Sequence, residues 1–339
     1  MTLAERTTLG VGGPADSWIV GTDADTIVST VIQSDREGVP VLLLGGGSNM
    51  LVADDGFRGT VVEVATHGVQ VDAERPDPLV TAAAGEEWDA IVARAVADGW
   101  AGIEALSGIP GRVGATPIQN VGAYGQEVGQ VIESVRALDR STGAVVTLAA
   151  PDCRFAYRTS ELKRQPDRWV VLDVSFRLRA DGRSPVRYAE LARVLGVAID
   201  DEVEVARIRA GVLDLRRAKG MVLDDFDPDT RSAGSFFMNP VVSTEVAAAL
   251  PDSCPRYPAD VGVKLSAAWL IEQSGIDRGF RARPESRARI SGKHTLALVA
   301  EPGATAAELL ELARVVRGRV HERFGITLQA EARLVGCAL

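Results

Sequence analysis

Apolar residues first recur at helical spacing at Ile27, Val28, Val31 and Ile32, which predicts an amphipathic helix. Asp23 or Asp25 is placed to cap it, and Gly38 and Pro40 stop it. The unbroken apolar run Val41–Leu44 then reads as a buried strand, and Thr60 to Val64 as another. Trp88, Ile91, Val92, Ala95 and Val96 predict a second helix, ended by Gly99. From about 131 to 179 the pattern changes to short apolar runs separated by turn residues. Val135 to Leu138, Val145 to Leu148 and Val170 to Leu178 are expected as strands.

Glu204 to Arg217 returns to helical spacing, with Val205, Ile208, Val212 and Leu215 on one face. The stretch 220–231, rich in Asp and Pro, reads as a loop or linker, beyond which a new unit begins. Lys264 to Gln273 is expected as a helix. Thr305 and Glu308 form a capping box for a helix carrying Leu309, Leu312, Val316, Val320 and Phe324, closed by Gly325, after which Ile326 to Leu328 is expected as a strand.

The chain of 339 residues allows two or three domains, and 46% hydrophobic with 24% charged residues is ordinary for a globular protein. A net charge of -9 argues against nucleic acid as main partner but leaves room for a local basic pocket. No signal peptide and no stretch approaching the ~20 apolar residues of a membrane helix is visible, so a cytoplasmic protein without membrane insertion is expected. Cys153, Cys254 and Cys337 are odd in number and far apart, as free thiols are; with His67, His294 and His321 they show no metal spacing. Each histidine reads as an ordinary surface or core residue.

Glycine placement carries more information. In Leu42-Leu43-Leu44-Gly45-Gly46-Gly47-Ser48-Asn49-Met50-Leu51-Val52, an apolar strand enters three glycines and a second apolar strand leaves them. Glycines let backbone N–H groups converge on an anion, and Ser48 and Asn49 add donors. A Rossmann fold or a P-loop runs from such glycines into a helix, so strand–glycine–strand indicates another nucleotide-binding architecture or a tight turn. A second glycine-rich region runs from Ser107-Gly108-Ile109-Pro110-Gly111 through Gly114 to Asn120, Gly122, Ala123 and Gly125. Two such loops suit an elongated nucleotide; long surface turns are the other reading. Arg158 stands among Phe155, Tyr157 and apolar neighbours, either as an ion-pair member or as a carboxylate clamp. Ser235 lies in Ser232-Ala233-Gly234-Ser235-Phe236-Phe237-Met238-Asn239-Pro240, without the Gly-x-Ser-x-Gly pattern of a nucleophile elbow. Lys219 is one of four lysines, and Glu331 is flanked by apolar residues near the C-terminus.

Taken in order, these motifs resemble the UDP-N-acetylenolpyruvoylglucosamine reductase family. The matching residues are Gly45 to Asn49, Ile109-Pro110-Gly111 with Pro117 to Gly125, Tyr157-Arg158, Ala233 to Phe237 with Asn239-Pro240, Ala268 to Ile271, and Glu331 before Arg333-Leu334. The chain departs from the family pattern at Ala330, where Pro is usual, and at Ala300, where Asn is usual.

The resemblance implies an α+β protein: an FAD-binding fold of the vanillyl alcohol oxidase type in two α+β subdomains (1–65 and 66–213), a separate α+β substrate-binding domain (214–325), and a C-terminal strand (326–339) returning to the active site. It implies non-covalent FAD, NADPH as hydride donor and a UDP-linked substrate of peptidoglycan precursor synthesis, in a monomer. FAD-binding positions would be Gly45, Gly46, Gly47, Ser48, Asn49, Gly108, Ile109, Pro110, Gly111, Gly114, Asn120, Gly122 and Ala123. Arg158, Ser235 and Glu331 would be catalytic; Tyr188, in the tyrosine loop of the longer family form, would bind substrate with Lys219, Asn239 and Gln273. Another FAD enzyme of the same fold, or a nucleotide-binding regulator, are the competing expectations.

Overall fold

The computed structural model describes residues 1–259 and 261–339. The chain forms two compact units, one made of 16–46 and 58–218, the other of 1–15, 47–57 and 219–339. The cut after Gly46 falls inside the first glycine loop.

In the unit built on 16–46 and 58–218, Thr26 N–H donates to Asp23 Oδ1 at 2.7 Å and starts the helix Ala24–Glu37; Gly38, at φ +69°, ends it. Ile27 and Val31 pack with Val62, Leu138, Val170 and Leu172. The strand Val41–Leu44 pairs in parallel with Phe57–Val64, which also carries Ala15–Gly21 on its other edge. A five-stranded antiparallel sheet follows, in the order Ala144–Ala149, Ile132–Asp139, Trp169–Arg177, Leu79–Ala83, Val69–Asp72. Trp88, Ile91, Val92 and Ala95 of the helix Trp88–Ala97 are buried in its core, where Trp88 meets Phe176 with ring centroids 5.7 Å apart. The helix Val205–Ala218 forms as its periodicity predicts and packs against Ala189–Leu195 around Leu191, Leu195, Ile208 and Val212.

In the other unit, Met50–Val52 pairs in parallel with Arg333–Val335, so the end of the chain returns to the segment that leaves the first glycine loop. Ser232–Ser235, Ala297–Ala300 and Ala288–Ile290 form an antiparallel sheet covered by the helix Ala306–Phe324. That helix has the expected capping box, and the Asp54 carboxylate also accepts the N–H groups of Ala306 and Ala307 at 2.7 and 2.9 Å, an anion placed where the helix dipole favours one.

Two expected elements differ. Lys264 lies in the strand Val263–Leu265, and the helix begins only at Ala267, because Ser266 accepts from Trp269 N–H and caps it there. Ile326 to Leu328 is not a strand: Ile326 and Leu328 are buried in the apolar core, pairing begins with a single antiparallel bridge of Ala330 to Phe237, and the strand itself starts at Arg333. All three cysteines are free, and burial pushes their thiols up, that of Cys153 to about 11.

Candidate active site

The first glycine loop does connect two strands, Val41–Leu44 and Met50–Val52. Within the unit of 16–46 and 58–218, Gly46 lies against the second loop: a Cβ on Gly46 would come within 2.9 Å of Gly111 Cα, which is backbone and cannot step aside. The two glycine-rich loops therefore meet because neither residue has a side chain. In the other unit, a Cβ on Gly47 (φ +60°) would lie 2.0 Å from the Arg6 carbonyl oxygen, while Thr8 N–H donates to Gly47 O at 3.2 Å.

The second loop is held from several sides. Trp88 N–H donates to Gly111 O at 3.0 Å, and Gly114 N–H to Ala84 O at 2.9 Å. Asp89, in the first turn of the helix Trp88–Ala97, accepts Gly108 N–H at 2.6 Å and both guanidinium nitrogens of Arg209 at 2.6 and 2.8 Å. Burial pushes the Asp89 carboxyl up, but Arg209 and the Gly108 N–H outweigh it and hold the group below the usual carboxylate range. Glu104, fully buried, accepts Gly102 N–H at 2.7 Å and the Gln126 side-chain amide, tying 104–108 to the hairpin Gly122-Ala123/Gln126-Glu127. The Asn120 side chain is engaged by Glu127, Ala156 and Gly129, so what it offers a ligand is backbone.

Arg158 sits in the same unit, at the corner of a two-residue turn closed by reciprocal Ala156–Thr159 bonds of 3.0 Å. Its φ of +53° is a conformation non-glycine residues adopt at a cost, and such cost concentrates at functional positions. Lys163 Nζ donates to the Arg158 carbonyl at 2.8 Å and pins the turn. The Arg158 Nη1 stands beside Gly122, 3.3 Å from where a Cβ there would lie. Tyr188, half exposed, packs edge-on against Tyr124, ring centroids 5.4 Å apart. Burial pushes the Tyr124 hydroxyl up to about 12, so it stays protonated.

In the unit carrying 219–339, Ser235 ends the strand Ser232–Ser235 opposite Ala297. Glu331 N–H donates to Phe236 O at 2.8 Å, which brings the backbones of Ser235 and Glu331 to neighbouring positions. Asn49 Nδ2 donates to Glu331 O at 3.4 Å, and Arg333 N–H to Asn49 O at 3.0 Å. Ser235, Glu331 and Asn49 are thus brought close through the backbone. Asn239 accepts Ala267 N–H at 2.9 Å, fixing its amide at the start of the helix Ala267–Gln273, whereas Gln273 is exposed at that helix's far end, about 9 Å away by helical rise. Lys219, half-buried, directly follows the helix Val205–Ala218. Among the described residues, no cluster of three or more His, Cys, Asp or Glu could hold a metal ion, and no helix is long and apolar enough to cross a membrane.

Comparison with known proteins matches residues 227–335 to the C-terminal domain of UDP-N-acetylenolpyruvoylglucosamine reductase and residues 16–149 to an FAD-binding domain. The chain is 51% identical to the reductase of that name from Thermobifida fusca and 53% identical to that of Saccharopolyspora erythraea, over 99% of its length and 97% and 95% of theirs. The chain belongs to the UDP-N-acetylenolpyruvoylglucosamine reductase family. The crystal structure of the reductase from Thermus caldophilus superimposes with a TM-score of 0.66 at 25% identity, over 99% of this chain and 97% of that one.

The FAD-binding match contains both glycine loops, and the C-terminal match contains Ser235, Asn239, Gln273 and Glu331; Arg158, Tyr188 and Lys219 lie in the stretch between the two. The residues present fit FAD: at Gly46 and Gly111 two backbone segments approach without Cβ atoms, the kind of surface on which backbone N–H groups hold a diphosphate. Gly46→Ala overpacks the Gly46–Gly111 contact, at a cost of about 1–3 kcal/mol. The expected result is a folded protein that loses most of its yellow colour on gel filtration, read as the flavin-to-protein absorbance ratio.

Sequence reasoning missed three groups. Arg216 is buried at a core-facing position, on the 205–208–212–216 spacing of its helix, and a charge on that stripe was the available signal. Burial pushes its guanidinium down; Tyr124 and Asp89 act oppositely, and the neighbouring Arg158 charge adds to the depression. The Asp89–Arg209 pair joins residues 120 apart, for which a single sequence carries no signal. His294, read as ordinary, lies with Nε2 3.3 Å from Ser235 Oγ.

Proposed function

We propose that this chain reduces the enolpyruvyl ether of UDP-N-acetylglucosamine to UDP-N-acetylmuramate, using NADPH and non-covalently bound FAD, for peptidoglycan precursor synthesis. The identity of about half of all positions with reductases of that name, along nearly the whole chain, carries this reading. FAD held by the glycine loops would supply the hydride-transfer chemistry between NADPH and the vinyl carbon that side chains lack.

The chain's own residues do the rest. Gly45 to Asn49, Gly108 to Gly111, Gly114, Asn120, Gly122 and Ala123 hold the flavin dinucleotide. Arg158 clamps the substrate carboxylate, where charge develops as hydride arrives at the neighbouring carbon, and a fixed guanidinium stabilises that charge without reorganisation. Glu331 orients the same group as a proton-bearing donor, because an ionised carboxylate would repel the growing anion. Ser235 gives its hydroxyl proton to the carbanionic carbon and completes the lactyl ether. Lys219, Tyr188, Asn239 and Gln273 hold the UDP portion and thereby orient the reacting carbon; Tyr188 closes over it. The functional division at residues 65, 213 and 325, a cytoplasmic location and a monomeric state belong to this reading.

The test is product analysis. With NADPH and the enolpyruvyl substrate, mass spectrometry is expected to show a UDP-sugar heavier by two hydrogen atoms, formed only when both are present. Turnover of simple alcohols with oxygen instead would make the chain an oxidase.

A further inference from the structure

A hydroxyl has one hydrogen, and where it points decides whether Ser235 can act as proton donor. Ser235 Oγ lies 3.3 Å from His294 Nε2, and this contact allows two arrangements. If Oγ–H donates to the imidazole, the hydrogen is turned away from the substrate. If Nε2–H donates to Oγ, one oxygen lone pair is occupied and the hydrogen is left for transfer. The second arrangement also meets the alkoxide left after transfer with a donor already in place.

His294 is held in a rigid turn. Its own N–H, at 3.1 Å, and that of Lys293, at 3.0 Å, donate to the fully buried Ser291 Oγ. Ala297 N–H donates back to His294 O at 3.0 Å, and Ser291 N–H to Ala297 O at 2.8 Å. The Lys293 ammonium is drawn to Asp227 at 2.6 Å. The same Ala297 is the strand partner of Ser235, so ring and hydroxyl are placed by one piece of sheet.

We infer that His294 is a positioning residue for Ser235, carrying its proton on Nε2 and donating it as a hydrogen bond to Oγ. In the transfer the Oγ–H bond breaks and a C–H bond forms at the carbanionic carbon. The charge left on Oγ is stabilised by Nε2–H, and Oγ regains its proton from solvent, which accounts for the net proton taken up with each hydride. The inference rests on Ser235 being the donor, as proposed above.

The test compares His294→Leu, which has no donor, with His294→Gln, whose amide restores one, in anaerobic stopped flow. Flavin bleaching by NADPH at the parent rate shows that each variant is folded and loaded. Reoxidation by the enolpyruvyl substrate is expected to fall about 10- to 100-fold in the Leu variant, the effect of a hydrogen bond to a charged group, and largely to return in the Gln variant. Combined with Ser235→Ala, His294→Leu should have no further effect. Parent-rate reoxidation in the Leu variant, or a Gln variant no better than Leu, overturns the inference. Should either variant fail to fold, the imidazole tautomer of the parent protein, read from its ¹⁵N shifts, decides instead: neutral Nδ1–H overturns it and Nε2–H supports it. Parent-rate reoxidation in Ser235→Ala alone refutes the role of Ser235, a failure distinguishable from that of His294.

Discussion

Ser235→Ala is bleached by NADPH at the parent rate and is not reoxidised by the enolpyruvyl substrate on the parent time scale. Loss of a positioned general acid costs about 10²–10⁴-fold, and the sheet around Ser235 is held through backbone pairing. Its strand is paired through backbone to Ala297–Ala300, and the adjacent Phe236 N–H and C=O bind Leu296 and Glu331. The variant is therefore expected to keep its fold, its flavin and its affinity for substrate, and to lose one step. A single stopped-flow experiment reads both halves of the cycle in the same sample. Normal reoxidation would remove Ser235 from the mechanism and leave the family assignment untouched.

Arg158→Met is expected to lower the rate of the same oxidative half by about 10²–10³-fold, the usual cost of deleting one donor to a developing oxyanion. Methionine keeps the length and apolar stem of the side chain and faces the same backbone demand at φ +53°, so the change isolates the charge. Arg158→Lys is expected to recover only part of the rate, because an ammonium cannot make the bidentate fork. The measurement is the maximal reoxidation rate against substrate concentration. An effect confined to the half-saturating concentration would make Arg158 a binding residue with no part in stabilising the transition state.

Much of the fold was legible. The helices at Ala24–Glu37, Trp88–Ala97, Val205–Ala218 and Ala306–Phe324 carry strong 3.6-residue spacing, the first and last also clear caps, and each formed within a residue or two of expectation. The strand–glycine–strand pattern at Val41 to Val52 excluded the helix-capped nucleotide folds before any coordinates. What failed was short and apolar. Ile326 and Leu328 are buried on either side of an exposed Thr327 without strand pairing, and from sequence such an alternation looks the same as a strand. The helix expected from Lys264 starts later because Ser266 caps it, a choice between adjacent polar residues that periodicity does not resolve.

At the proposed site, what reading the sequence can single out is unusual local composition. The glycine loops, the arginine among aromatics and the Ser235 motif all stand out within a few positions. The residues that support them do not. Asp89 meets Arg209, His294 meets Ser235, and Asn49 meets Glu331 across separations of 120, 59 and 282 residues. Such pairings are set by tertiary structure, and no spacing rule reaches that far. Arg216 is the intermediate case: its position on an apolar helical stripe was visible, but the meaning of a charge there came only with Arg158 beside it.

The visible spectrum of the purified protein, followed anaerobically through two additions, tests the central claim most directly. The account predicts a yellow protein that one equivalent of NADPH bleaches and one equivalent of the enolpyruvyl UDP-sugar restores. A colourless protein, or a bleached flavin whose colour this substrate does not bring back, would contradict it.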